Sequence, residues 1–218
     1  MDQDVRALRN YVAEHLGDEL IEWPGGRPGE VEVALVDAVM SIRARYGRPE
    51  RTEDEVVLKP TGVHRAVAAF RRLRGEGPLD DLRALADVDP VDLTRALGSQ
   101  RTGGILKAEA IVRAAAALVD VGVTRADHVE PEDEIQKRAY TSVRGLGWVT
   151  WDYLGMLLGR PGVKADRWVI QAVCNAVRRP VTAVEARDVV LATADAMAES
   201  PSRLEHALWA YERTAAQS

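Results

Sequence analysis

The sequence has one cysteine in 218 residues, Cys174, which excludes an internal disulfide and any four-cysteine iron–sulfur cluster. No histidine lies near it in sequence, so Cys174 reads as a small core residue, with a catalytic thiol as the alternative. His15, His64, His128 and His206 are scattered without metal-ligand spacing, and neither a metal nor a cofactor is expected. No apolar run approaches the ~18 residues that span a bilayer, and Met1-Asp2-Gln3-Asp4 is unlike a signal peptide, which predicts a cytoplasmic protein without a membrane partner. Positive charge is also in deficit. A formal net charge of −5 argues against a general nucleic-acid coat. Finally, no stretch alternates with period two for longer than Glu30-Val31-Glu32-Val33, which runs into a helical pattern, and no short internal repeat is present. The fold class that remains is all-α.

The chain has 46% hydrophobic and 29% charged residues, enough to bury the core of one large domain or two small lobes. Val5, Leu8, Tyr11, Val12 and Leu16 predict a first helix over Asp2 to Leu16, followed by an irregular linker at Trp23 to Gly29. Glu30 to Tyr46 predicts a largely buried helix, and Gly47 to Pro60 a surface loop. Further helices are predicted over Val63–Leu73, Leu79–Ala86, Asp89–Leu97, Ile105–Val121 and Glu132–Val143, with Gly98 to Gly104 as a flexible polar loop. Asp89-Pro90 is an N-cap followed by proline in the first turn. Two closing helices follow capping-box patterns at Thr182-Ala183-Val184-Glu185 and Ser202-Arg203-Leu204-Glu205.

The most informative stretch is Ser142 to Val177. Gly145 and Gly147 bracket Leu146 just before an apolar helix, a tight hairpin whose amides face outward and can hold an anion. After the turn Gly159-Arg160-Pro161-Gly162, one acid, Asp166, precedes another apolar helix, where the dipole favours a negative charge. Between Ile135 and Arg179 there are eight basic side chains against two acids, a local excess of six in an acidic chain. That asymmetry suits a DNA face, and equally a solvated face.

A phosphate-holding hairpin followed by one aspartate resembles the helix-hairpin-helix DNA glycosylases, the superfamily of endonuclease III and the alkylbase glycosylases. The resemblance runs from about Glu30 to the C-terminus. In relatives the hairpin reads Leu-Pro-Gly-Val-Gly and the aspartate segment Val-Asp-Thr-His. Here they read Val143-Arg144-Gly145-Leu146-Gly147 and Ala165-Asp166-Arg167-Trp168, so arginine replaces proline and only the aspartate of the second segment is kept. Leu106-Lys107-Ala108-Glu109-Ala110-Ile111 is similar to the Lys-Ala-x-x-Ile opening of a family helix. Lyase members carry a lysine nucleophile two residues past the second hairpin glycine. That position is Val149, which cannot form a Schiff base.

The resemblance implies two helical lobes with DNA across the cleft between them: Glu30 to Leu158 as a barrel lobe carrying the hairpin, and residues 1–29 with 159–218 as the lobe carrying Asp166. It implies a monomeric, monofunctional DNA N-glycosylase acting in base excision repair, with duplex DNA bearing a damaged base as partner. Asp166 would be the catalytic carboxylate. Arg144, Gly145, Leu146 and Gly147 would hold a phosphate, and Lys164 would contact phosphate or keep Asp166 ionised. Arg43 would fill the gap left by a flipped base, or simply end a helix in solvent. Gln100 and Arg101 would form a second wedge, or a capping loop without DNA contact. Trp168 would wall the base pocket. Trp151 would join it or pack in the core, and such aromatic faces favour an alkylated purine. Two rivals stay open: a hairpin protein that binds DNA without catalysis, and an all-α interaction scaffold.

Overall fold

The computed structural model describes residues 1–17, 20–53 and 56–216. They form eleven α-helices and two small antiparallel hairpins, an all-α fold in which no described helix is long and apolar enough to cross a membrane. The chain divides into two compact units, residues 26–159 and residues 1–25 with 160–218.

The first of these is built around α2 (Val31–Met40), all ten of whose residues are buried. A helix that is apolar on every side must be surrounded. It is enclosed by α3 (Gly62–Arg74), α4 (Leu82–Ala86), α6 (Lys107–Asp120) and α8 (Trp148–Leu157). Its two acids are paired, as buried charges must be. Glu32 accepts from Arg74 Nε at 2.8 Å, and Asp37 from the Tyr46 hydroxyl at 2.9 Å and Arg27 Nη2 at 3.3 Å. The short α5 (Pro90–Leu97) begins where Asp89 Oδ1 accepts the Val91 amide at 2.7 Å. Next to α6, α7 (Glu134–Thr141) leads into the hairpin before α8.

Three local expectations are corrected in this unit. The helix predicted as far as Tyr46 ends at Met40, because the chain turns at Arg43, whose φ is +48°. Within the stretch 47–60, read as a loop, β1 (Arg51–Glu53) pairs with β2 (Val56–Leu58), while Asp54 and Glu55 lie outside the described residues. The stretch 98–104, read as a flexible loop, holds β3 (Arg101–Thr102), paired with β4 (Ile105–Leu106). Strands of two or three residues are too short to display a period.

In the other unit, α1 (Asp2–His15), α9 (Arg167–Val177), α10 (Ala183–Ala196) and α11 (Pro201–Ala215) close over Leu8, Val12, Val169, Val173, Val190 and Leu208. The Thr182 capping box forms: the Thr182 amide donates to Glu185 Oε2 at 2.8 Å, and the Glu185 amide to Thr182 Oγ1 at 3.2 Å. The Ser202 box does not. Pro201 opens α11 earlier, with Ser200 at the N-cap, which places Ser202 and Glu205 inside the helix. Ser202 Oγ instead accepts the Gly162 amide at 3.1 Å, and Glu205 is buried.

Candidate functional site

Gly145 takes φ +89°, a left-handed value open to glycine, and turns the chain from α7 towards α8. Leu146 seals the turn from inside at 7% exposure, while Arg144 stays exposed. Gly147 is the N-cap of α8, and the Thr150 and Trp151 amides make the first bonds of the helix to its carbonyl. The Trp148 and Val149 amides therefore lie in the orphan first turn, where the macrodipole favours an anion. The Gly147 amide is already engaged, donating to Thr150 Oγ1 at 3.3 Å.

The β3–β4 turn is fastened to this hairpin. Thr102 Oγ1 donates to the Gly145 carbonyl at 2.7 Å, and the backbones of Gly103 and Gly145 meet so closely that a Cβ on Gly103 would stand 2.6 Å from Gly145 Cα. Gln100 and Arg101, both exposed, are thus brought beside Arg144 and Gly145 by main-chain packing. Arg101 Nη1 donates to the Gly104 carbonyl at 2.8 Å, which ties its guanidinium to the turn.

The turn after α2 is fixed from two sides. Lys107, 3% exposed, donates from Nζ to the Met40 carbonyl at 3.0 Å and the Ile42 carbonyl at 2.7 Å. Burial pushes its ammonium down from the usual 10.5 to about 8. On the far side, Tyr46 is held between Asp37 and the Tyr153 hydroxyl, 3.0 Å away, with His64 against its ring edge. Burial followed by the Asp37 charge pushes the Tyr46 phenol up. Between these anchors, Arg43 and Arg45 are exposed on a defined turn.

In the other unit, Asp166 is the N-cap of α9. Its Oδ1 accepts the Trp168 amide at 2.8 Å and the Val169 amide at 3.3 Å. Both bonds fall on one oxygen, so Oδ2 is the atom not committed to the cap, and the residue is half-buried. Lys164 is half-buried two residues earlier, and Trp168 is half-buried with the Arg167 guanidinium 4.3 Å above its ring. Trp151 belongs to the core of residues 26–159. It is fully buried, donates Nε1 to the Pro131 carbonyl at 2.8 Å and lies 5.5 Å from the Tyr140 ring, so no face is open to a flipped base. Cys174 is half-buried within α9.

Two functional candidates escaped sequence reasoning. Lys107 was visible only as part of an opening pattern, although a lysine starting an apolar helix needs an acceptor if buried. Glu205 was assigned to a capping box. Its burial in α11, at 5% exposure, appears only in three dimensions.

The comparisons with known proteins agree at the level of fold. The family model described as "Domain of unknown function (DUF8548)" matches residues 6–213. No curated protein matches the sequence. Among solved structures, the H. pylori 3-methyladenine DNA glycosylase MagIII bound to 1,N6-ethenoadenine is similar with a TM-score of 0.64 and 12% identity, over 99% of this chain and 98% of that one. The Schizosaccharomyces pombe 3-methyladenine DNA glycosylase Mag1, in complex with abasic DNA, gives 0.58 and 16%, over 96% and 95%. MBOgg1 in complex with a low-affinity DNA ligand gives 0.55 and 14%, over 99% and 71%. At these identities the likeness is one of fold.

Proposed function

The chain belongs to the DUF8548 family, and we propose that it is a monofunctional DNA N-glycosylase that hydrolyses the bond between sugar and a damaged base flipped from duplex DNA. The observation that carries the reading is Asp166: on a fold similar to that of DNA glycosylases, the aspartate of the segment that resembles theirs in sequence is a half-buried carboxylate, fixed at a helix N-terminus by one oxygen. Breaking an N-glycosidic bond builds positive charge on the sugar. Asp166 stabilises that charge and directs water with Oδ2, while the Oδ1 cap holds the carboxylate in place. Val149, apolar and β-branched, gives no lysine nucleophile, so water is the attacking group.

The α8 first turn and Arg144 hold a backbone phosphate near the lesion. Arg43 or the Gln100-Arg101 turn enters the gap left by the extruded base. Alkylated purine is the substrate class. Its support is the names of two similar structures, both 3-methyladenine DNA glycosylases, and Trp168, whose ring stacks with an electron-poor base once Arg167 swings away. The protein acts as a soluble monomer on duplex DNA.

The second reading is a hairpin protein that binds DNA without catalysis, favoured by Arg144 in the proline position and by the loss of the residues flanking Asp166. A single-turnover assay separates the two, with alkali to break abasic sites in duplexes carrying methylated purine, uracil, 8-oxoguanine or a mismatch. Cleavage of one lesion, reduced on the order of 10² to 10⁴ in Asp166→Asn with binding retained, is the expected result. Salt-dependent binding by both proteins without cleavage would replace the glycosylase with the binding module.

A further inference from the structure

We propose that Arg101 and Arg144 form one anion clamp, a pair of guanidinia brought together from two turns to grip the phosphodiester backbone of a duplex. This inference rests on the reading of duplex DNA as the partner, and it takes Arg101 out of the gap left by an extruded base. Both side chains converge on Gly104. Arg101 Nη1 donates to the Gly104 carbonyl at 2.8 Å. Arg144 reaches over from the hairpin, and its Nη2 and Cζ lie 3.5 and 3.6 Å from where a Cβ on Gly104 would stand. Glycine here, at a φ of +89°, makes the turn and leaves the Arg144 guanidinium room to lie over it.

The convergence is set by the backbone. Thr102, 7% exposed, donates from Oγ1 to the Gly145 carbonyl at 2.7 Å, and Gly103 and Gly145 are in main-chain contact. The Lys107 amide donates to the Gln100 carbonyl at 2.8 Å, which ties the start of the turn to α6. Each arginine therefore sits one residue from a fixed contact between the β3–β4 turn and the hairpin.

Charge then names the ligand. Arg71, Arg74 and Arg113 of the same unit are each paired with an acid, Glu30, Glu32 and Glu109. Arg101 and Arg144 are exposed, and among the described residues neither forms an ion pair. Two like charges that converge without an acid repel, and an oxyanion between them removes the repulsion. A guanidinium presents a planar fork of donors that matches phosphate oxygens, so two forks from different directions hold a phosphodiester backbone more firmly than either alone. Gln100, also exposed, makes no side-chain bond among the described residues, so entry into the duplex falls to Gln100 or Arg43.

The test is a double-mutant cycle on duplex affinity, read by fluorescence anisotropy at fixed salt with undamaged and abasic-site duplexes, in R101Q, R144Q and the double variant. Thermal unfolding in inorganic phosphate at constant ionic strength accompanies it. Glutamine is polar and both positions are exposed, so the variants should fold, with an unchanged Tm as the check. Each single variant should bind both duplexes about tenfold more weakly. The double variant should lose about twentyfold, where independent contacts would lose about a hundredfold. Losses that multiply in the double variant overturn the clamp. R101Q that weakens the abasic duplex alone, with the undamaged duplex bound as before, places Arg101 in the gap and also overturns it. Saturable stabilisation by inorganic phosphate that the double variant lacks, without coupling on either duplex, makes free phosphate the occupant and overturns the backbone assignment. Wild type that cleaves no lesion, with the two arginines still coupled on duplexes, sinks the glycosylase reading and leaves the clamp supported.

Discussion

At the scale of single residues, Lys107 shows how one side chain can shape a surface it never reaches. Its ammonium satisfies two carbonyls at the end of α2, Met40 and Ile42, and the chain then turns through the left-handed Arg43. A non-glycine residue there carries roughly 1–2 kcal/mol of strain, which the surrounding contacts must offset. Lys107→Met removes both donors and leaves the carbonyls bare, at a cost of about 2 kcal/mol per lost charged bond. On the proposed function, cleavage should fall more than duplex affinity, because the loosened turn no longer holds Arg43 in place. Denaturant unfolding and paired binding and turnover measurements check this. The pH dependence has a definite sign. Burial lowers Lys107 from 10.5 to about 8, so wild-type stability should gain as pH rises through that interval, and Lys107→Met should lack the gain.

At the scale of elements, the hairpin and the β3–β4 turn form one piece, because glycine lets two backbones touch. A methyl group at Gly145 would stand 2.5 Å from the Thr102 carbonyl carbon, at a φ of +89°. Gly147 has open space around its missing Cβ and an extended φ of −139°. Gly145→Ala should therefore lower Tm by several degrees and weaken duplex binding, while Gly147→Ala should cost only about 1 kcal/mol as a poorer N-cap. Equal effects in the two variants would show that the contact with the β3–β4 turn does not hold the hairpin. Elements with local causes were legible in the sequence. Asp89-Pro90 and Thr182-x-x-Glu185 gave their caps, and Asp166 was legible as an acid just before the apolar helix that is α9. What was missed depends on distant partners. The end of α2 is set by a lysine more than sixty residues on, β3 and β4 are too short to carry a period, and Ser202 satisfied a local capping pattern that Pro201 had already pre-empted.

For the molecule as a whole, the proposed DNA binding turns on how much positive charge remains available in an acidic chain. The local excess of six between Ile135 and Arg179 overstates it. Lys137 pairs with Glu134 at 3.2 Å, and Arg179 is shared between Asp4 at 3.1 Å and Glu185 at 3.2 Å. Arg43, Arg101 and Arg144 are exposed and are the arginines proposed to meet DNA, and counterion release for about three phosphate contacts gives a slope of log affinity against log salt near −3 for duplex DNA. Arg144→Ala should reduce that slope by about one and weaken all sequences alike, the behaviour of a phosphate contact. Arg179→Ala should leave the slope unchanged, because its charge is already spent on two acids. Fluorescence anisotropy across a salt series checks all three proteins. A wild-type slope near −8 would mean that paired basic residues also give up their acids to DNA, and a slope near zero would remove duplex DNA as the partner.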